Sequence, residues 1–243
     1  MVKAYRMGDL PDPEADQPLQ WSPQNFHAFR LTGCLGLELG VDPGSRFVAV
    51  GTSDSQIKVY DLQKGFQTHN FVGHRGIVVK LTFLPQKGSL RLVSAAEDML
   101  VKVWDMVLNS EIATIKGLTG GRATCFAFSN DYKTLFVGYR DGTICFFHTE
   151  KQFKLIHSLK CDSSLGFEEN GHEEEEVNAL VYLNFGGSTS YLAAAGTSGK
   201  LVIIDLTTME ASSVEQDYIA SEVIFMQYRK SPAGVEGDKG GHG

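Results

Sequence analysis

Residues 73–105 read GHRGIVVKLTFLPQKGSLRLVSAAEDMLVKVWD, and the rest of the chain is interpreted from this stretch. It contains three runs of β-branched and aromatic residues, and the alternation between Ile77 and Phe83 is typical of a strand rather than a helix. Its recurrent polar residues are His74, Ser94, Asp98 and Trp104. An imidazole, a hydroxyl, a carboxylate and an indole can satisfy one another by hydrogen bonds where water is excluded. We therefore predict that these four residues form a buried structural tetrad.

The chain repeats this unit four times, in segments of about 33–71, 72–116, 117–160 and 177–214. The turn acids are Asp54, Asp98 and Asp141, at steps of 44 and 43 residues. Gly-His and Trp-Asp markers on such a period are the signature of a WD40 propeller blade. One four-stranded unit cannot bury both of its faces, so neighbouring units must stack. The predicted fold class is all-β: a WD40 β-propeller of four complete blades plus partial blades, forming part of a larger ring.

The segments around the repeats differ in composition. Residues 1–18 contain three prolines and are expected to be a flexible arm, and the partial propeller is expected to cover 19–230. A strand of an earlier blade is expected near Phe26–Leu31. The insertion at 161–176 carries seven acids, so we expect a solvated loop, with a contact for a basic partner as the alternative. The Gly-rich end, 231–243, is interpreted as a linker.

Composition excludes several classes of protein. A formal net charge of −7 provides no electrostatic footprint for direct, non-specific nucleic-acid binding. The four cysteines lack CxxC spacing, and Cys34, Cys125 and Cys145 lie in strand-like apolar runs, where a free thiol behaves as a small hydrophobe. This indicates a reducing compartment such as the cytosol or nucleus. There is no apolar run of about 18 residues, so no membrane span is expected.

The residue types of a hydrolase triad are present in His74, Ser94 and Asp98. Ser94 lies within a predicted strand without a GxSxG elbow, and a triad does not explain Trp104. The segment GTSGK at 196–200 does not fit the phosphate-loop pattern. The histidines lack further ligands at metal-binding spacing. We therefore predict that the chain is not an enzyme and has no cofactor, metal or small-molecule substrate.

The most credible functional surface is formed by the side chains beside the turn acids. The residue before each acid is expected to point to the narrow face of the ring, together with two residues that enter the second blade. These candidate partner-binding residues, called the rim below, are Ser53, Arg75, Ile77, Glu97, Arg140 and Thr197. Mixed charge with one apolar group suits a protein or peptide contact. The alternative is a solvated surface without a partner.

The order of the repeats resembles consecutive blades of the transducin-beta-like, U3 small nucleolar RNA-associated WD40 proteins. The matching residues, in a His-rich turn and the following Gly-Val-Val strand, are Thr68, His69, Phe71, Gly76, Val78 and Val79. The resemblance places the chain in the first of that family's two propellers. Departures are Ser198 in place of a turn acid, the Phe147-His148 pair, and the absent Gly-His before the third blade.

This resemblance implies a non-catalytic scaffold of the small-subunit processome in the nucleolus, acting in ribosome biogenesis and pre-rRNA processing. Its partners would be other protein subunits of a large ribonucleoprotein, and its RNA contacts would be indirect. The alternative from the residues alone is a generic WD40 adaptor, such as a ubiquitin-ligase substrate receptor or a signalling scaffold, in the cytoplasm.

Overall fold

The computed structural model describes residues 2–6, 24–86, 89–118, 120–161, 176–184, 189–197 and 201–214. The regular secondary structure in these ranges consists entirely of β-strands. They form four four-stranded antiparallel sheets and one two-stranded sheet. The first sheet contains β3 (Gly36–Val41), β4 (Phe47–Thr52), β5 (Gln56–Asp61) and β6 (Phe66–Val72). The second contains β7 (Val78–Gln86), β8 (Ser89–Ala96), β9 (Leu100–Asp105) and β10 (Ser110–Lys116).

The third sheet contains β11 (Ala123–Phe128), β12 (Thr134–Tyr139), β13 (Thr143–His148) and β14 (Lys154–Lys160). The fourth contains β15 (Val177–Leu183), β16 (Tyr191–Gly196), β17 (Leu201–Asp205) and β18 (Ala211–Val214). Strands that follow one another in sequence pair within every sheet, so each unit is an antiparallel meander. The predicted all-β partial propeller with four-stranded blades is confirmed.

The sheets stack through their first strands. β7 contacts β3 on one side and β11 on the other, and β11 contacts β15. A separate apolar cluster fills each of the three junctions, so the core lies between the blades rather than within any one of them. This is the arrangement expected when a single sheet has two apolar faces to bury.

The first strand of every blade carries the same irregularity. The register with the second strand shifts at Gly36/Glu38, Val78/Lys80, Ala123/Cys125 and Val177/Ala179. A β-bulge at this point bends the strand and increases its twist. The same bend therefore recurs in the strand through which each blade contacts its neighbours.

Among the described residues, no further four-stranded blade packs on the outer face of the first blade. In strand register Leu39 corresponds to Leu81 of the second blade, and Val41 corresponds to Phe83. Leu81 and Phe83 are 3% and 5% exposed because the first blade covers them, whereas Leu39 and Val41 are 57% and 55% exposed. The structure thus leaves an apolar stripe along β3.

The N-terminal prediction needs correction. Residues 2–6 were expected to belong to a flexible arm, but β1 (Val2–Arg6) pairs antiparallel with β2 (Gln24–Phe29). Pairing with β2 provides hydrogen bonds that composition does not reveal. Phe29 then packs on the first blade with Tyr60, their ring centroids 4.5 Å apart. Residues 7–23, 162–175 and 215–243, which include most of the expected arm, insertion and tail, lie outside the described residues.

Candidate functional site

The structure brings the four tetrad residues into one hydrogen-bonded chain inside the second blade. The Trp104 indole N–H donates to Ser94 Oγ over 2.8 Å, and Ser94 Oγ lies 2.8 Å from His74 Nε2. His74 Nδ1 lies 2.9 Å from Asp98 Oδ2. Because an ionised carboxylate only accepts, His74 Nδ1 must donate to Asp98, which leaves Nε2 to accept from the Ser94 hydroxyl. Every N–H and O–H group of the four side chains in this network thereby has an acceptor.

Burial and hydrogen bonding shift the pKa values of His74 and Asp98 within this hydrogen-bonded network. Burial lowers the pKa of His74 below its ordinary value, although the Asp98 carboxylate beside it acts in the opposite direction. Burial raises the pKa of Asp98, but hydrogen bonds from the Arg75 amide and from His74 outweigh this, so the pKa lies below its usual range. The neutral imidazole and the ionised carboxylate are therefore the forms that the folded chain favours.

Ser94, His74 and Asp98 are hydrogen-bonded in the order of a hydrolase triad, but a substrate cannot reach the Ser94 hydroxyl. Ser94 is completely buried, and its oxygen already accepts from Trp104. Burial also raises the pKa of the Cys125 thiol to about 12 and that of Cys145 to about 11. Protonated, buried thiols are poor nucleophiles. The geometry of these groups fits a packing role.

The other turn acids are held differently. Asp54 accepts from the Thr52 hydroxyl and lies 3.7 Å from Lys58 Nζ. Asp141 accepts from the Thr143 amide through Oδ1, while its buried Oδ2 has no hydrogen-bond partner. The tetrad thus exists in the second blade only, among the described residues. The fourth-blade turn at Ser198 lies outside them.

The rim positions are tethered by one repeated backbone bond. The amides of Ser53, Glu97, Arg140 and Thr197 donate to the carbonyls of Leu35, Ile77, Arg122 and Glu176, over 2.8–3.2 Å. Each bond joins the end of a second strand to the residue just before the first strand. Four equivalent turns therefore have fixed backbones at one end of the sheets.

Most rim side chains are accessible. Arg75, Glu97, Arg140 and Thr197 are exposed, whereas Ser53 and Ile77 are half-buried. Ser53 Oγ also accepts from the Leu35 amide over 3.0 Å, so this side chain is partly committed to the fold. The exposed members carry two cations, one anion and one hydroxyl, which supply directional contacts for a partner.

Two residues next to the rim were missed by the sequence argument. Glu176 pairs with Arg122 over 3.9 Å and with Arg140 over 3.6 Å, so ion pairs bridge the third and fourth blades. Arg122 and Glu176 also line a cavity of about 200 Å³ with Lys80. Both occupy the position that Ile77 holds in the second blade. Aligning the repeats on Ile77 is the signal that identifies them.

Among the described residues, no group of three or more His, Cys, Asp or Glu side chains is placed to hold a metal ion. Within the same ranges, no helix is long and apolar enough to cross a membrane.

Comparison with known proteins agrees with the repeat structure. The family model described as "WD domain, G-beta repeat" matches residues 65–105 and 109–148, which cover the last strand of the first blade, all four strands of the second and the first three strands of the third. The chain therefore contains WD40 repeats.

Several curated proteins are similar over part of the chain. COMPASS component SWD3 of Saccharomyces cerevisiae is 28% identical over 168 residues, 69% of this chain and 50% of that protein. Transducin beta-like protein 3 of Bos taurus is 31% identical over 126 residues, 50% of this chain and 16% of that protein. WD repeat and SOCS box-containing protein 1 of Danio rerio is 39% identical over 90 residues, 36% of this chain and 21% of that protein. The chain thus spans half or less of each relative.

Proposed function

We propose that this protein is a non-catalytic WD40 scaffold whose rim holds other protein subunits together. The observation that carries the proposal is the repeated backbone tether, which presents Glu97, Arg140 and Thr197 from equivalent, fixed turns. A fixed array of exposed groups binds with little ordering cost. The buried Ser94 hydroxyl supports a scaffold rather than a hydrolase.

The finer assignment is nucleolar small-ribosomal-subunit assembly and pre-rRNA processing, within the U3 small nucleolar ribonucleoprotein or processome. It is supported by the resemblance at Thr68, His69 and Phe71 and by the 31% identity with transducin beta-like protein 3. The net charge of −7 favours protein subunits as the direct partners, with indirect RNA contact.

Localisation and co-purification of the full-length, epitope-tagged protein test this proposal. We expect concentration in the nucleolus and recovery of U3 RNA with protein subunits. Arg140→Glu should reduce that recovery at least threefold, because it reverses the charge of an exposed rim side chain. The matched control is Lys154→Glu, which reverses an exposed charge on β14 of the same blade, away from the rim. Equal recovery with wild type and Arg140→Glu would exclude the rim as the contact.

A second candidate is a generic adaptor, such as a ubiquitin-ligase substrate receptor or a signalling scaffold. The 39% identity with WD repeat and SOCS box-containing protein 1 favours it. A diffuse cytoplasmic signal and co-purification with ubiquitin-ligase subunits, without U3 RNA, would select this candidate over the processome.

A further inference from the structure

A cavity of about 550 Å³ lies between the third and fourth blades, at the end of the sheets opposite the rim. The β11–β12 and β17–β18 turns contribute to its lining, whereas the rim belongs to the turns between second and third strands. We propose that this cavity binds a short segment of a partner protein, with a bulky apolar side chain next to a lysine or arginine. The site is separate from the rim and extends the proposed scaffold to a second face.

The floor of the cavity is aromatic and well packed. The rings of Phe136 and Tyr182 stack with centroids 6.0 Å apart, and the Phe146 ring meets Phe136 edge-on at 5.0 Å. Phe136 and Phe146 are buried, so the floor is held in place by the core between the two blades. A preformed aromatic floor gains affinity from an apolar side chain without first being ordered.

The mouth is partly apolar as well. Ile156 of β14 is 53% exposed at the cavity, although it is a large aliphatic residue. Met209 and Leu206, from the β17–β18 turn, are half-buried on the other side. An inserted side chain would remove these surfaces from water, which is the main source of affinity at such sites.

The junction between the second and third blades shows why the space is open here. In strand register Val93 and Val103 of the second blade correspond to Phe136 and Phe146. Phe153, from the β13–β14 turn, is buried in the same apolar cluster as these two valines. The corresponding turn of the fourth blade supplies the half-buried Leu206 and Met209 but no fully buried side chain, so the described residues leave the volume between the third and fourth blades open.

The charge of the cavity lining determines which kind of residue should stand next to the bulky apolar side chain in the bound segment. Asp131 is the single charged side chain among the described residues that line the cavity. Its Oδ1 accepts from Ser129 Oγ over 2.6 Å and from the Lys133 amide over 3.1 Å, and the Ser129 hydrogen bond lowers the pKa of Asp131. An oriented, ionised carboxylate favours a basic residue and repels an acidic one. The net charge of −7 acts in the same direction.

The test is direct binding to an array of capped hexapeptides in a Ser/Ala background. Position 3 is Phe, Leu, Met or Ala, and position 4 is Lys, Arg, Glu or Ser; binding to the full chain is followed by fluorescence anisotropy. We expect binding only when position 3 is bulky, and at least fivefold weaker binding with Glu than with Lys or Arg at position 4.

Variants locate the binding site. Ile156→Glu should weaken binding at least tenfold, because it places a charge at the apolar mouth. The matched control is Ile112→Glu: Ile112 is the bulged third residue of β10, as Ile156 is of β14, and it is 36% exposed outside the cavity. Asp131→Asn retains the Oδ1 acceptor and should reduce the preference for a basic residue two- to fivefold.

Three outcomes would overturn the proposal: no binding by any bulky–basic peptide at millimolar concentration, equal loss with Ile156→Glu and Ile112→Glu, or equal preference for Glu and Lys. Concentration-dependent self-association that Ile156→Glu abolishes would also overturn it, because the occupant would then be a second copy of the chain. Arg140→Glu should leave peptide binding to the cavity unchanged. Failure of the cavity proposal and failure of the proposed rim function are therefore separate results.

Discussion

Asp98 and Asp141 stand at the same turn position in neighbouring blades but differ in their partners. Asp98 Oδ2 receives His74 Nδ1 and the Arg75 amide, over 2.9 and 2.8 Å. Asp141 Oδ2 is buried without a partner, and the segment before the third blade, residues 117–122, contains no histidine to match His74. A buried acceptor without a partner costs about 1–3 kcal/mol. The same acid therefore stabilises one blade through its bonds and contributes less to the other.

Acidification should destabilise the second blade through His74. The pKa of His74 is lowered in the folded chain, so the unfolded chain binds the proton more readily. This contribution to stability is complete above the unfolded pKa, near 6.5, and is lost as pH falls from there towards the lower folded value. We expect the Tm, measured by circular dichroism, to fall as pH decreases from about 7 to 5.

His74→Gln provides the comparison for this pH effect. The variant should lose about 1–3 kcal/mol at pH 7.5, because Ser94 and Asp98 lose their shared partner. Its decrease in Tm between pH 7 and 5 should be smaller than that of the wild type. If both proteins show the same pH dependence, His74 is not the titrating group.

At the scale of the secondary-structure elements, the turn between the second and third strands of the first three blades contains a residue in the left-handed region of φ/ψ space. That residue is Ser55 in the first blade, Met99 in the second and Gly142 in the third, with φ of 65°, 62° and 77°. Glycine adopts this conformation without the steric cost that a Cβ imposes, about 1–2 kcal/mol. The second blade therefore carries local strain in the turn that presents Glu97.

Met99→Gly should relieve this strain. Met99 is 54% exposed, so little burial is lost, and the free energy of unfolding should rise by up to about 1 kcal/mol after the entropic cost of glycine. Urea denaturation measures the change. The reverse substitution, Gly142→Met, should destabilise the third blade; a gain in stability there would contradict this explanation.

At the scale of the whole molecule, stacking decides which apolar residues belong to the core. Leu39 and Leu81 occupy equivalent positions in the first strands of adjacent blades. Leu81 packs between the first and second blades, whereas Leu39 lies on the open stripe of β3. The difference arises from the neighbour and not from the strand itself.

Matched truncations measure this difference. Leu81→Ala should cost about 2–5 kcal/mol, through lost burial and a cavity between the blades, as judged by chemical denaturation. Leu39→Ala should change the free energy of unfolding by less than about 0.5 kcal/mol. A comparable loss for Leu39→Ala would show that the stripe is covered in solution.

Much of the fold could be predicted because its signals are local. The two-residue alternation around Ile77–Phe83, the glycine and acid turns, and the repeat period together predicted stacked four-stranded sheets. β1 was missed because five residues in a proline-rich segment carry no periodic pattern, and their hydrogen bonds depend on β2. The Arg122–Glu176–Arg140 ion pairs were missed because they join blades separated by the acidic insertion.

The sequence by itself determined the strand pattern, the repeat and the residue types of the tetrad, since these follow from side-chain chemistry and spacing along the chain. Only the tertiary structure decided that His74 is paired while Asp141 Oδ2 is not, that Leu39 is open while Leu81 is buried, and that a cavity remains beside Phe136. These outcomes depend on how one blade meets the next. Each junction is filled by side chains from two adjacent blades, so no single repeat determines that packing.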